Sequence, residues 1–211
     1  MMLFFSCNKE NDNQEYTTQI DELMNSYKRE NPLPNIELLG INCDDVNGIL
    51  TEIFNADQEI RNNGNGSFVE IDRQNLQKFV SMVESCGFPS KKDILTENAK
   101  EGIFLVLQHA PATYKAHYYK NFKNLVDLGV VEKARLAYYQ DKFLLWIKYP
   151  QIYGTQIQNG HLYPVVNPDK INERRNKMGL GRIEEYVKRY SLNFDQEVRL
   201  FAKDTLFDSA K

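Results

Sequence analysis

A segment that is apolar around its whole circumference places the strongest constraint on the fold of this chain. The segment from Thr96 to Ala110 has the spacing of a helix, and Ile103 to Leu107 is apolar at every position. A helix that is hydrophobic on all sides must be surrounded by other elements. We therefore predict a central helix over 96–110, enclosed by the helices that precede and follow it.

Amphipathic segments supply the surrounding layer. Their apolar residues recur every three or four positions, as on one face of a helix. The predicted helices cover 14–30, 44–62, 72–86, 114–129, 134–139, 168–178, 183–190 and 194–207. Gly and Pro follow several of these segments closely, as expected where helices end.

The region between the predicted helices 134–139 and 168–178 has the pattern of β-strands. The stretches 143–149, 151–157 and 161–166 are rich in β-formers, and Asn159-Gly160 is a strong tight-turn signal. This pattern predicts a small three-stranded meander. The predicted fold class is α+β, a mostly α-helical domain with a small antiparallel β-meander near residues 142–166.

Composition and motifs exclude several classes of function. The chain has 26 Lys and Arg against 29 Asp and Glu, a net charge of −3. No broad positive field attracts nucleic acid, so we expect no nucleic-acid partner. The three His lack metal-ligand spacing, and no Gly-rich phosphate loop, G-x-S-x-G, H-E-x-x-H or C-x-x-C occurs. We expect no metal site and no cofactor.

The N-terminal segment indicates where the protein resides. Met1 to Ser6 is mostly apolar and ends at Cys7, and Asn8 to Glu15 is polar or charged throughout. This segment resembles the end of a bacterial lipoprotein signal, whose Cys is lipidated. A secretory signal has about 7 to 15 apolar residues, so we expect the true start to lie upstream of Met1. The alternative is a frayed apolar N-terminus with an unmodified Cys.

The resemblance to a lipoprotein signal sets the predicted domain organisation and location. We expect 1–15 to be a truncated signal remnant and polar tether, 16–36 an N-terminal helix and linker, and 37–211 a single globular domain. The predicted location is the cell envelope, with the protein anchored to the outer membrane or cell surface through lipid on Cys7.

Two further cysteines, Cys43 and Cys86, remain for the folded part. An oxidising compartment would permit them to pair, but pairing requires Cα atoms within about 7 Å. The expectation from the sequence is two buried, unpaired thiols.

Three polar residues stand where packing alone would not select them. Asp57 interrupts an apolar stripe, so it needs a partner, and Arg61 stands four residues further on the same helix face. His109 follows the wholly apolar run, and poor hydration favours its neutral form. A neutral imidazole suits a general base or an orienting contact. The alternative for His109 is a core histidine bonded to a backbone carbonyl.

Two later patterns also carry polar groups. Gln151, Tyr153 and Thr155 alternate, which predicts one polar strand face that could bind a ligand. Arg174 and Arg175 have guanidinium forks that match carboxylate or phosphate. The alternatives are a solvated strand face and a solvated helix face.

Several motifs together resemble an uncharacterised bacterial domain family of unknown function. In chain order they are D-Q-x-x-R at 57–61, G-F-P-S at 87–90, Q-H-A at 108–110, Asp141, Q-x-Y-G-T-Q at 151–156 and R-R-x-x-x-G-L at 174–180. The similarity spans roughly residues 38–190. The family pattern tends to have Asp-Arg where this chain has Asp141-Lys142, so a bidentate contact is lost there.

The resemblance implies that most of these polar residues belong to one site. The residues that it groups together are Asp57, Arg61, Gln108, His109, Gln151, Tyr153, Gln156 and Arg175. It assigns no activity, substrate or cofactor.

Three functions are consistent with these residues. The first is a domain that binds an unknown small polar or anionic ligand, held by Arg61, Arg174 and Arg175 and recognised by Gln108, Gln151, Tyr153 and Gln156. The second is a hydrolase or group transferase with His109 as general base and Asp57 as its orienting partner. The third is a structural module with a buried polar network. The oligomeric state stays open.

Overall fold

The computed structural model describes residues 11–64, 66–90, 95–201 and 206. Within these ranges the protein is mostly helical with one small antiparallel sheet, which confirms the predicted fold class. The helices are α1 (Asn11–Glu30), α2 (Val46–Asn63), α3 (Phe68–Cys86), α4 (Glu97–His109), α5 (Ala112–Asp127), α6 (Lys133–Trp146), α7 (Ile171–Lys177), α8 (Ile183–Lys188) and α9 (Phe194–Phe201). The strands are β1 (Ile157–Gln158) and β2 (His161–Leu162), and 3₁₀ turns occupy Cys43–Asp45 and Pro168–Lys170.

Helix α4 is the central helix, as its apolar circumference predicts. Ile103 and Leu107 have no solvent exposure. A Cβ atom on Gly102 would lie 2.1 Å from the carbonyl oxygen of Leu50, so the backbones of α4 and α2 touch at this point. This close approach requires Gly, and it fixes how α2 lies beside α4.

Helix α3 begins earlier than predicted. The expected start at Asp72 is wrong, because the side chain of Ser67 accepts a hydrogen bond from the backbone N–H of Glu70 and caps a helix that starts at Phe68. Asp72 therefore stands inside the helix, where its side chain can contact α2.

The prediction of a first strand at 143–149 is wrong, because residues 143–146 form the last turn of α6. Leu136, Gln140, Phe143 and Leu144 are buried, and their spacing of three and four residues is that of a helix face. The apolar run near the end of α6 thus belongs to the helical core.

The second predicted strand is also mostly absent. Only Ile157 of the stretch 151–157 lies in a strand, and the preceding backbone N–H groups bond to a side chain of α6. The turn prediction is confirmed: Asn159 and Gly160 have φ of 52° and 78° and join β1 to β2.

Cys43 and Cys86 form a disulfide, so the expectation of two buried, unpaired thiols is wrong. Cys43 lies in the 3₁₀ turn before α2 and is exposed, and Cys86 is the last residue of α3. The antiparallel arrangement of α2 and α3 brings these ends together, with a Cα–Cα distance of 5.5 Å.

Helix α1 packs against α5. Its residues Ile20 and Met24 are buried in the same core as α4 and α5. Cys7, the predicted lipidation site, lies outside the described residues. Within the described ranges, no helix is both long enough and apolar enough to cross a membrane.

Candidate functional site

A group of polar side chains meets where α2, α3 and α4 come together. We call this group the His109 cluster; its members are Asp57, Gln58, Arg61, Asp72 and His109. The His109 cluster forms because of how α2 and α4 are placed along each other. Leu50 of α2 contacts Gly102 of α4, and Asp57 and His109 each stand seven residues further along the same two helices. The helices α2 and α4 therefore run in the same direction, and their polar residues meet.

Asp57 is the centre of the His109 cluster. Its carboxylate is 2% exposed and accepts hydrogen bonds from Arg61 Nε at 2.9 Å and from Gln58 Nε2 at 3.0 Å. His109 Nε2 lies 3.4 Å from the carboxylate oxygen Oδ1. A buried carboxylate needs such partners, so the partner expected for Asp57 from the sequence is present on the same helix, and a second one comes from α4.

Arg61 joins two carboxylates. Its Nη2 lies 2.8 Å from Asp72 Oδ1, and its guanidinium lies 5.4 Å from the ring centre of Phe68. Burial raises the pKa of Asp72, and the charges of Arg61 and Lys142 oppose that rise. Arg61 therefore holds Asp57 in a fixed position by bridging α2 to α3.

His109 is neutral over the ordinary pH range. Burial and the positive charges of Arg61, Lys115 and Lys142 lower its pKa to about 3. Because a carboxylate paired with Arg61 can only accept, we assign the ring proton to Nε2, which faces Asp57. The other nitrogen, Nδ1, then carries the lone pair, on a side chain that is 25% exposed.

Gln108 precedes His109 in the last turn of α4 and is buried. Its Oε1 has no hydrogen-bond partner among the described residues. Such an atom costs free energy unless water or another molecule satisfies it. Gln108 Oε1 is therefore a buried acceptor without a partner in the part of the chain that the structure describes.

The remaining predicted site residues lie in a second group around Asp141 of α6. We call residues 151–156 the Asp141 loop. The buried carboxylate accepts hydrogen bonds from the backbone N–H groups of Ile152, Tyr153 and Thr155 and from the Thr155 hydroxyl. Burial raises the pKa of Asp141, and these bonds oppose the rise.

Two glutamines close the Asp141 loop on itself. The amide nitrogen of Gln151 donates to the carbonyls of Gln156 and Tyr163, and its oxygen accepts from the backbone N–H of Gln156. The amide nitrogen of Gln156 donates to Thr155 Oγ1 at 2.9 Å. Both side chains are buried, so the polar strand face predicted here is instead the inside of a loop.

Arg174 is 1% exposed and lies beneath this loop. Its nitrogens donate to the carbonyl oxygens of Ile152, Val166 and Asn167 at 2.9, 2.6 and 3.0 Å. The guanidinium also lies 5.3 Å from the ring centre of Tyr16 in α1. Arg174 thus connects α7 to two separate parts of the backbone, at Ile152 and at residues 166–167.

Arg175 makes a parallel set of contacts. It donates to the carbonyls of Gly181 and Tyr153 at 2.6 and 2.7 Å, and its guanidinium lies 5.0 Å from the ring centre of Tyr186. Burial lowers its pKa, and Asp141 opposes this. The fork that sequence reasoning assigned to a ligand is occupied by backbone carbonyls.

The hydrogen bonds of the predicted site residues therefore form two groups. Asp57, Arg61 and His109 belong to the His109 cluster, and Gln151, Tyr153, Gln156, Arg174 and Arg175 belong to the Asp141 loop and its supports. Cavities of about 320 Å³ and 440 Å³ lie elsewhere, the first beside Ile60 and Ile71 and the second around residues 184–196. The shared pocket implied by the family resemblance stays a prediction.

Sequence reasoning missed Lys115 and Lys142, whose charges lower the pKa of His109, and Asp72, which pairs with Arg61. Asp72 was interpreted as the residue preceding a helix, and Lys142 only as a departure from a motif. Lys115 was overlooked, although it stands four residues before Tyr119 on the apolar face of α5 and has no exposure. A charged residue inside an apolar stripe is the signal that would have identified it. In the part of the chain that the structure describes, no three His, Cys, Asp or Glu side chains are grouped to hold a metal ion.

Together the fold and the site define a mostly helical domain that contains a buried polar network beside a half-buried, neutral histidine. The chain belongs to the family described as "Family of unknown function (DUF6624)", whose model matches residues 45–199. Comparison with curated proteins and with solved structures gave no match.

Proposed function

We propose that this protein is an envelope lipoprotein domain that binds a small polar or anionic molecule at the His109 cluster and acts on it with His109 as general base. Asp57 is the orienting partner. The reaction class is hydrolysis or group transfer, in which a base removes a proton from water or from an acceptor.

One observation carries the proposal: His109 Nε2 lies 3.4 Å from Asp57 Oδ1 on a side chain that is a quarter exposed. The distance is longer than an ordinary hydrogen bond, as is common in active sites without substrate. The contact orients the ring with Nε2 toward the carboxylate, and Nδ1 is left to accept a proton. The exposed quarter of the side-chain surface supports access of a substrate to the imidazole.

The charge distribution supports a polar or anionic substrate. Lys142 is partly buried; burial and the charge of Arg61 lower its pKa, and the carboxylate of Asp72 opposes this. Within the described residues no carboxylate oxygen lies within 4.0 Å of its ammonium. An anionic group on a bound molecule would stabilise this cation beyond what Asp72 alone supplies.

The Asp141 loop has a structural role in this proposal. Arg174, Arg175 and Gln151 direct their donors to backbone carbonyls, and a ligand could take these donors only by breaking those bonds. This favours the buried-network interpretation for the Asp141 loop and leaves the His109 cluster as the site of chemistry.

Catalysis is tested by replacing the base. Purified protein is assayed against p-nitrophenyl acetate, p-nitrophenyl phosphate and a panel of glycoside and amide chromogens. We expect His109→Asn to lower any turnover at least about 100-fold, the usual contribution of a general base. The matched control is His161→Gln, whose imidazole is 55% exposed and lies outside the His109 cluster. Equal rates for wild type and His109→Asn contradict the proposal.

Ligand binding is tested separately from catalysis. Thermal unfolding is followed with phosphate, succinate, citrate and glutamine, each added at several concentrations. We expect at least one to raise the Tm of the wild type and to have a smaller effect on Lys142→Met. Shifts that persist unchanged in Lys142→Met and in Arg61→Met argue against binding at the His109 cluster.

Two features support the envelope location. The apolar segment that ends at Cys7 resembles a lipoprotein signal, and the Cys43–Cys86 disulfide is typical of an oxidising compartment. Intact-mass analysis of the native protein, extracted from membranes with detergent, should give the mass of a diacylglyceryl group on Cys7. Recovery of the whole protein in the aqueous fraction, without added mass, contradicts lipidation.

A further inference from the structure

Lys115 of α5 lies in the core without any solvent exposure. Its ammonium donates hydrogen bonds to the backbone carbonyls of Leu107 and Gln108, the second at 2.8 Å. It also lies 4.9 Å from the centre of the Tyr139 ring. Among the described residues, no carboxylate within 4.0 Å compensates its charge.

The end of α4 explains why a cation is stable at this position. Carbonyl groups in the last turn of a helix lack intrahelical donors, and they carry the negative end of the helix dipole. Pro111 stands four residues after Leu107 and has no N–H, so it cannot supply the missing donor. Lys115 supplies it, and the aromatic ring beneath adds a further favourable contact for a cation.

We propose that Lys115 is a positioning residue for His109, which fixes the last turn of α4 and uses its buried charge to keep the imidazole unprotonated. The inference rests on the proposed function, in which His109 is the base. A pair of hydrogen bonds to the residues immediately before His109 limits movement of its backbone. A buried positive charge opposes a second positive charge on the ring, so the lone pair of the imidazole stays free to accept a hydrogen bond or a proton.

Charged groups surround His109 from four neighbouring helices, one of which is α3, whose Asp72 pairs with Arg61. Asp57 and Arg61 belong to α2, Lys115 to α5 and Lys142 to α6. Arg61 and Lys142 are partly exposed, so solvent screens their charges more than that of Lys115. Burial lowers the pKa of Lys115 itself, and the two carbonyls and the Tyr139 ring favour its ammonium form.

A pH titration of the histidine rings by NMR tests this role without any substrate. Protein labelled with ¹⁵N-histidine is titrated downward from pH 8, with His117 and His161 as internal references. In the wild type we expect the His109 ring to stay unprotonated to well below pH 5. In Lys115→Gln, which keeps a hydrogen-bond donor but removes the charge, we expect its midpoint to rise by about one pH unit. Lys115→Met should give the same rise with broader signals, because both hydrogen bonds are lost.

Lys120→Met is the matched control, because Lys120 is an exposed lysine on the same helix. It should leave the titration of His109 unchanged. If the His109 ring of folded Lys115→Gln titrates with the same midpoint as in the wild type, the proposal is overturned. If neither Lys115 variant folds, the ¹⁵Nζ signal of Lys115 in the wild type at pH 5 decides: an ammonium signal supports the role, and a neutral amine overturns it. Absence of turnover in the ester assays would contradict the proposed function, and it would not change the conclusion drawn from the titration.

Discussion

The carboxylate of Asp141 accepts two hydrogen bonds from Thr155, one from its backbone N–H at 3.0 Å and one from its hydroxyl at 2.9 Å. These two residues are fourteen positions apart, on α6 and in the Asp141 loop. The Asp141 side chain of α6 thus accepts the hydrogen bonds that a neighbouring strand would accept from the loop backbone. Three backbone N–H groups of the loop thus depend on one buried carboxylate.

Asp141→Asn should therefore destabilise the protein strongly. The amide nitrogen that replaces one oxygen is a donor, and it would face backbone N–H groups that are also donors. Leaving buried donors unsatisfied costs about 3 kcal/mol in total, which urea unfolding can measure. Asp127→Asn removes an exposed carboxylate of α5 that pairs with Lys123, and it should leave the unfolding free energy almost unchanged. Equal effects of the two substitutions would contradict the role given to Asp141.

Arg175→Lys should be destabilising although it keeps the positive charge. The guanidinium of Arg175 donates in two directions, to Gly181 and to Tyr153, and a single ammonium cannot reach both carbonyls. We expect a loss of about 2 kcal/mol in unfolding free energy, because one buried carbonyl is left without a donor. Arg182→Lys, at a side chain that is 66% exposed, is the control and should unfold like the wild type. A fully stable Arg175→Lys protein would show that the fork is dispensable.

Local patterns in the sequence predict contacts within one element better than contacts between elements. The pair of Asp57 and Arg61 follows from a spacing of four residues on a helix, and both residues do meet. The contact between Asp57 and His109 depends on how far α2 is shifted along α4. Gly102 sets that shift by allowing the two backbones to touch, and helical periodicity contains no information about it.

The region near the predicted meander shows a different limit. Residues 151–156 alternate like a strand, but their backbone donors bond to Asp141 and their carbonyls accept from Arg174 and Arg175. Alternation reports which side chains are buried, and it does not report which group satisfies the backbone. A loop held by three charged side chains therefore has the pattern of a strand.

Removal of the disulfide should cost part of the stability of the α2–α3 pair. Cys43 and Cys86 close a loop across a sequence separation of 43 residues, and opening it increases the entropy of the unfolded chain. We expect the double variant Cys43→Ser/Cys86→Ser to lose about 2–4 kcal/mol in urea unfolding. Wild type treated with a reductant should approach the variant, and the variant should not respond to the reductant. A reductant effect of equal size on both proteins would contradict the assignment.

The neutral state of His109 should make stability decrease as the pH is lowered. Its pKa is about 3 in the folded protein and about 6.5 in an unfolded chain, so between these values the unfolded state binds the additional proton. Stability is complete above about pH 6.5 and falls toward about pH 3. At pH 5 the loss amounts to about 1–2 kcal/mol, allowing for the exposed quarter of the side chain.

In His109→Gln the difference in unfolding free energy between pH 7 and pH 5 should shrink by this amount, whatever its stability at pH 7. Burial also lowers the pKa of His117, which is less buried, so His117→Gln should remove a smaller part of the slope. An unchanged slope in His109→Gln would mean that the folded protein does not lower the pKa of His109.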